Sequence, residues 1–308
     1  MSYYTRLNKS FEGAIRLPLN YHTKYALISD CHRGTSTSND NFLKNQNLYY
    51  AALQYYYKTG YTYIELGDGD ELWENRCMKQ IIETHHDVFH LLSRFRESRR
   101  LYMLYGNHDI VKKNIRYTTR NCSAYPGYMN NPYMEKAPLL PDMTFYAGII
   151  LENTARPAAR DIYLTHGHQT DLFNSTLWRL SRFLVRYVWK PLERYGVLDP
   201  TSAAKNYTRK HKAELRLHHW AKEEDHILIT GHTHRPTLSA DDPYYYNSGS
   251  CVHPGSITCL EIDHMRIRLV KWTLGTRADM SLYVEREVIA GDVSLLTPKD
   301  TEAAPDRF

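Results

Sequence analysis

Five short clusters of ligand-type residues punctuate the chain: Asp30-Cys31-His32, Gly67-Asp68, Gly106-Asn107-His108-Asp109, His166-Gly167-His168 and Gly231-His232-Thr233-His234. Carboxylate, amide and imidazole donors suit borderline or hard divalent ions, Mn2+ first, with Fe2+ or Zn2+ as alternatives. The candidate ligands are Asp30, His32, Asp68, Asn107, His166, His232 and His234. That is too many for one ion, but it fits two ions sharing one bridging carboxylate. Asp68 is the natural bridge, because it enters alone beside a glycine turn. The stretch YIELGDGDELWEN (63–75) crowds Asp68, Asp70, Glu71 and Glu74 around Trp73. Carboxylates this close repel unless water or positive charge relieves them, and for Asp68 the expected partners are metal ions.

The clusters need elements to bring them together. Each follows an apolar, β-rich run: KYALIS (24–29), YTYIEL (61–66), LYMLY (101–105), DIYLT (161–165) and HILIT (226–230), with FYAGIIL (145–151) a sixth such run. Helical stretches at 41–60 and 78–98 lie between the early runs, so the first half reads as an α/β sheet with crossover helices. Ligands of open α/β sheets bind at the carboxyl ends of strands, and the five turns are therefore expected to converge. After residue 243 come β runs without helices, an antiparallel or mixed sheet. Residues 169–225 look helical and interrupt the strand series, and an insertion of that size is usually functional. The tail from Thr297 is expected to fray.

Composition bounds the class. The 308 residues are 42% hydrophobic and 24% charged, ordinary for a soluble globular protein. A net charge of +5 is too small to argue for nucleic acid by itself, but it suits an anionic small substrate or a membrane surface. The five cysteines are odd in number and show no C-x-x-C spacing, which reads as reduced thiols in a cytoplasmic protein and excludes a disulfide framework. The first twenty residues lack the apolar core of a signal peptide, and no run approaches the ~18 apolar residues of a membrane span.

Taken in order, D-x-H, G-D, G-N-H-D, H and G-H-x-H resemble the calcineurin-like metallophosphoesterase superfamily. All five blocks are present between Asp30 and His234, each after a strand. The resemblance implies a four-layer α/β/β/α sandwich, with residues 1–308 as a single domain and 169–225 as a helical lid insertion within it. It places Asp30, His32, Asp68 and His234 around one metal, and Asp68, Asn107, His166 and His232 around the other. His108 would stand beside the scissile phosphate, stabilising charge or protonating the leaving oxygen, with Asp109 orienting its ring. His168 would lie behind the ligands or touch metal or substrate. A hydroxide held between the two ions would attack phosphorus in line. The phosphoprotein phosphatases of this superfamily carry G-D-x-x-D-R-G and G-N-H-E, whereas this chain has GDGDELW and GNHD.

An acid three residues after the metal-binding Asp, here Glu71, with Trp73 two further on, resembles the UDP-2,3-diacylglucosamine pyrophosphatases. The alternative is that Glu71 caps a helix and Trp73 packs under the site. Those pyrophosphatases typically have Arg where this chain has His108 and Asp where it has His168, so this chain keeps the more general superfamily residues. They also carry a helical lid in the stretch of the insertion. Here Arg179, Arg182, Arg186, Lys190 and Arg194 fall at helical spacing, beside an apolar stripe of Leu177, Leu180, Leu184 and Val188, with Pro191 expected to end or kink the helix. This is either a solvated amphipathic helix or a lid and peripheral membrane contact for an amphiphilic phosphoester. Glu71, Trp73, His168, Arg182 and Arg186 are the candidate substrate contacts. The expected function is dinuclear metal-dependent hydrolysis of a phosphoester or pyrophosphate in a small-molecule, nucleotide-linked or lipid-linked substrate. The alternatives are a nuclease, a cyclic-nucleotide phosphodiesterase and a non-catalytic metal-binding scaffold.

Overall fold

Side-chain alternation on the strands builds the architecture. In the computed structural model, which describes residues 1–37, 40–125, 138–156, 159–189 and 207–296, two sheets are stacked. The larger has the order β12-β11-β10-β2-β3-β4-β5. Its parallel half is β2 (Lys24–Ile28), β3 (Thr62–Leu66), β4 (Leu101–Leu104) and β5 (Phe145–Tyr146). Its antiparallel half is β10 (Ser256–Asp263), β11 (Arg266–Thr276) and β12 (Leu282–Ser294). The smaller sheet has the order β1-β6-β7-β8-β9, formed by β1 (Ile15–Leu19), β6 (Gly148–Asn153), β7 (Ile162–Thr165), β8 (Ile227–Thr230) and β9 (Tyr245–Asn247).

Alternate residues of these strands face opposite layers. Leu27, Ile64, Leu66 and Leu104 of the larger sheet meet Ile149, Leu151, Ile162, Leu164 and Ile229 of the smaller one in the central core. Ala26, Ile28, Tyr63 and Met103 point the other way, against helices α2 (Gln46–Lys58), α3 (Met78–Thr84) and α4 (His86–Glu97). On the far side, Leu7 of helix α1 (Tyr3–Phe11) clusters with Leu217, Trp220 and Ala221 of a long helix (Tyr207–Glu223) and with Leu228 and Tyr245. The four layers are those of the α/β/β/α sandwich. Among the described residues no helix is long and apolar enough to cross a membrane, and all five cysteines are unpaired, four of them buried.

Four sequence readings change in detail. FYAGIIL is not one strand: Phe145–Tyr146 pairs with β4, and from Gly148 the chain enters the other sheet beside β1 and β7. The helix read over 78–98 breaks at His85. Helix α1 and strand β1 are additional to the elements expected from the sequence. The helix Tyr207–Glu223 closes the 169–225 stretch as part of the fourth layer, not as an addition over the site. The rest of that stretch holds the short helices α6 (Leu172–Ser175) and α7 (Trp178–Leu184), following α5 (Ile115–Cys122), and then a π-helical turn (Val185–Trp189). Lys190, Pro191 and Arg194, like the tail from Thr297, lie outside the described residues.

Ile64 is fully buried between the sheets and paired in register with Leu27 and Tyr102. Ile64→Ala is expected to cost about 2–5 kcal/mol of stability, read as a lower urea midpoint with an unchanged slope.

Candidate metal centre

The ligand turns are wired together by backbone hydrogen bonds beyond the strand ends. The N–H of Asp30 donates to the carbonyl of Gly67 (3.1 Å), that of His32 to Asp68 (2.9 Å), and that of Arg33 to Gly69 (3.0 Å). The N–H of Gly231 donates to the carbonyl of His166 (3.1 Å), tying the two histidine turns of the smaller sheet. Asp30 Oδ2 bridges the sheets by accepting the His232 N–H, and within the larger sheet Asp68 Oδ1 accepts the His108 N–H, both at 2.8 Å.

Asp30, His32, Asp68, His232 and His234 all have left-handed backbones, with φ of 53°, 50°, 51°, 66° and 56°. Residues with a Cβ hold such conformations at roughly 1–3 kcal/mol each, and only where surrounding contacts enforce them. The strain turns each side chain back over the strand ends toward a common point.

Besides the group His32, Glu71 and His108, two groups of donors result. Asp30, His32 and His234 form one, and Asp68, His166 and His232 the other; within each, ligand atoms lie within 4.8 Å of one another. Asp68 stands between them, its Oδ2 at 3.1 Å from His166 Nε2 and 3.8 Å from His32 Nε2. Asn107 is buried beside the same turn, and its Oδ1 has no hydrogen-bond partner.

The donor set passes a direct test of fit for cations. His166 Nδ1 is 2.9 Å from the Leu66 carbonyl, which fixes a proton on that nitrogen. Its Nε2 faces Asp68 without making a hydrogen bond, and His32 Nε2, His232 Nε2 and Asp30 Oδ1 are likewise buried without one, Asp30 Oδ1 standing 2.9 Å from His234 Nε2. Lone pairs crowded out of water in this way are costly unless a positive charge sits among them. With only protons to serve, burial lowers the His166 pKa, but the Asp68 and Asp30 charges outweigh it and push it up to about 9. Burial drives His232 down to about 3 and His168 well down, with the charge of His166 adding to both. His232 thus stands neutral, as a ligating imidazole must, while the proton held by His166 between two carboxylates is one that a bound cation would displace.

The turn after Asp68 holds the flanking chemistry. Glu71 Oε2 is 2.9 Å from His32 Nδ1, and Glu71 Oε1 is 2.9 Å from His108 Nδ1. Oε1 also accepts the backbone N–H groups of Trp73 and Glu74. Glu71 therefore caps its own turn and orients two imidazoles. The expectation that Asp109 orients His108 is corrected. Asp109 turns away, accepting the Gly106 N–H (2.7 Å) and Lys112 Nζ (2.8 Å). The Trp73 ring stacks on His108 at 4.5 Å, nearly parallel, and so packs under the site. His168 is buried 5.4 Å from the His166 ring, with Nδ1 unpartnered.

The insertion residues sit differently from expectation. Arg182 lies over the Trp178 ring (4.9 Å). Arg186, on the π-helical turn that interrupts the expected face, donates to the carbonyls of Leu72 (2.8 Å), Trp73 (2.9 Å) and Asn75 (3.3 Å). It ties the insertion to the Glu71 turn and is occupied there, not held out to a substrate.

The family model for calcineurin-like phosphoesterases matches residues 23–236, a span that contains every candidate ligand. The chain belongs to the calcineurin-like phosphoesterase family. No curated protein sequence matches it. Solved structures with a likeness include Vps29 of Chaetomium thermophilum, at 10% identity over 88% of this chain and 98% of that one with a TM-score of 0.37. A mutant cold-active protein tyrosine phosphatase aligns at 16% identity over 88% of this chain and 81% of that one, with a TM-score of 0.38. Both likenesses are too distant to speak to activity.

Beneath the phosphoesterase site runs an ionic network that the sequence did not disclose. Arg33, fully buried, pairs with Glu65 (2.7 Å) and Asp70 (2.7 Å), and Lys112 joins Asp70 to Asp109. Burial raises the Asp70 pKa, but Arg33 and Lys112 outweigh it and hold the carboxyl at about 2. The only sequence signal was an Arg and a Lys beside the ligand turns, Arg33 directly after His32 and Lys112 three residues after Asp109.

A Cβ on Gly106 would stand 2.1 Å from Asp68 Oδ1 and 2.6 Å from the Asp68 backbone nitrogen. Gly106→Ala is therefore expected to displace the Asp68 carboxylate. Elemental analysis after Mn2+ loading should show at least one ion per chain fewer than wild type, with the far-ultraviolet circular dichroism unchanged.

Proposed function

We propose that this phosphoesterase hydrolyses a phosphoester or pyrophosphate bond with two divalent ions, Mn2+ being the ion its oxygen and imidazole donors suit. The observation that carries the reading is the pair of donor groups that meet at Asp68 with buried Nε2 and Oδ1 atoms that make no hydrogen bond. Asp30, His32, Asp68 and His234 would hold one ion, and Asp68, Asn107, His166 and His232 the other. Bound there, the ions would supply Lewis acidity toward phosphoryl oxygens and a water acidic enough to act as nucleophile near neutral pH.

The chain's own groups supply the rest. Glu71 holds His108 by Nδ1, leaving Nε2 as the nitrogen that faces away from the carboxylate and can carry a proton to a leaving oxygen. Burial lowers the His108 pKa, but the charges of Glu71 and Asp68 outweigh it and keep it above the ordinary imidazole value, favouring the acid form. Trp73 fixes the plane of the ring and shields one of its faces from water. Exposed Leu172, Phe173, Leu180 and Phe183 on the insertion support a nucleotide-linked or lipid-linked substrate with an apolar part.

Hydrolysis of bis-p-nitrophenyl phosphate with Mn2+ tests the reading. Asp68→Asn should abolish turnover and lose at least one ion per chain; a variant with full activity and metal content would sink the two-ion assignment.

His108→Ala should retain both ions and lose ~10²–10⁴-fold in kcat. The loss should be smaller for p-nitrophenol leaving groups than for alkyl alcohols. Equal losses would show that His108 works by positioning or charge and not as an acid.

A further inference from the structure

Residues 71–75 belong to no helix or strand, yet the two groups that set the His108 ring both stand on them. Glu71 Oε2 lies 2.7 Å from His108 Nδ1, and the Trp73 ring is stacked on the imidazole at 4.5 Å. Trp73 Nε1 is buried without a hydrogen bond. No polar contact of its own fixes that ring, so its place follows the backbone of the turn. That backbone is held from the insertion. Arg186 Nη2 donates to the carbonyls of Leu72 (2.8 Å) and Asn75 (3.3 Å), and its Nε donates to that of Trp73 (2.9 Å). The clasp is reciprocal: Arg76 Nη2 donates to the Tyr187 hydroxyl (2.9 Å), and its guanidinium lies over the Tyr187 ring (5.3 Å).

Two contacts thus separate the Arg186 guanidinium from the imidazole. It fixes the carbonyls of Leu72 and Trp73; the N–H groups of Trp73 and Glu74 fix Glu71 Oε1, and Glu71 and Trp73 fix His108. A group that protonates a leaving oxygen must stand within hydrogen-bond reach of it, and a misplacement of ~1 Å transmitted from outside the chemistry can cost ~10²-fold. Resting on the hydrolase reading of the centre, we infer that Arg186 is a positioning residue for departure of the leaving group, acting through the 71–75 turn on His108. As the P–O bond breaks, the electron pair stays on the departing oxygen and the proton on His108 Nε2 moves to it. Arg186 keeps that nitrogen in line for the transfer. The insertion thereby sets the competence of the acid, while the ligand turns are clamped separately by Arg33 and Lys112.

Hydrolysis of diphenyl phosphate and bis-p-nitrophenyl phosphate, a poor and a good leaving group, by the Mn2+-loaded full chain provides the test. Arg186→Ala should keep its Mn2+ content and KM and lose about tenfold or more in kcat on diphenyl phosphate, with a smaller loss on the p-nitrophenyl ester. In a His108→Ala background the same substitution should cost nothing further, as for two residues acting as one unit. Equal losses on both esters, or the same loss with and without His108, overturn the inference and leave Arg186 a fastening of the insertion. Should Arg186→Ala not fold, Arg186→Lys carries the same comparison. A second arm needs no turnover. In the Zn2+-loaded chain the proton between His108 Nδ1 and Glu71 gives a downfield 1H resonance, identified by its absence from His108→Ala. It should broaden by exchange in the Arg186 variant. A broadened signal in a chain without wild-type turnover keeps the positioning role and sinks the hydrolase reading; turnover with an unaltered signal does the reverse.

Discussion

A carboxylate that water does not reach must be matched by positive charge or by hydrogen bonds, and Asp68 imposes that condition on everything around it. One oxygen is satisfied by the His108 N–H; the other faces His166 and His32. Its backbone is left-handed, which no isolated strand end would adopt unaided. Gly67 and Gly106 leave the space it occupies, since a Cβ at either would collide with the neighbouring turn. The two sheets meet over this residue, so the register of the central core and the spacing of the ligands are one constraint.

Holding such a turn rigid falls to the buried network of Arg33, Glu65, Asp70, Lys112 and Asp109. Buried ion pairs are rarely a net source of stability, because desolvation consumes most of the attraction, but removing one partner costs about 3–5 kcal/mol. Their value here is geometric. Arg33 follows His32, Asp70 follows the bridge, and Asp109 follows Asn107 and His108, so the network clamps three ligand turns at once. Tyr49 and Tyr63 close it from the helical side through Glu65.

Sequence made the donors legible because each is a polar cluster directly after an apolar run, and strand ends in such sheets converge. It did not reveal which neighbour holds which. Asp109 is adjacent to His108 in the chain, yet consecutive side chains diverge and Asp109 reaches Lys112 instead. Glu71, distant in sequence, takes the ring. FYAGIIL looked like one strand because hydrophobicity does not record that Ala147 lies between two sheets. The basic face expected at 182, 186 and 190 drew attention through its regular spacing, but a π-helical turn at Val185–Trp189 breaks it.

Arg186 holds the insertion against the Glu71 turn through carbonyls alone. A bond to the main chain is indifferent to which side chains occupy 72, 73 and 75, so that loop is free to drift in sequence without releasing the insertion. The donor has no such freedom. Three acceptors in fixed directions call for a planar fork, and lysine, a point charge on a flexible stem, is no equivalent. Variation between relatives should therefore accumulate on the carbonyl side of this contact and spare the guanidinium, an asymmetry that hydrophobic packing between the same two segments would not produce.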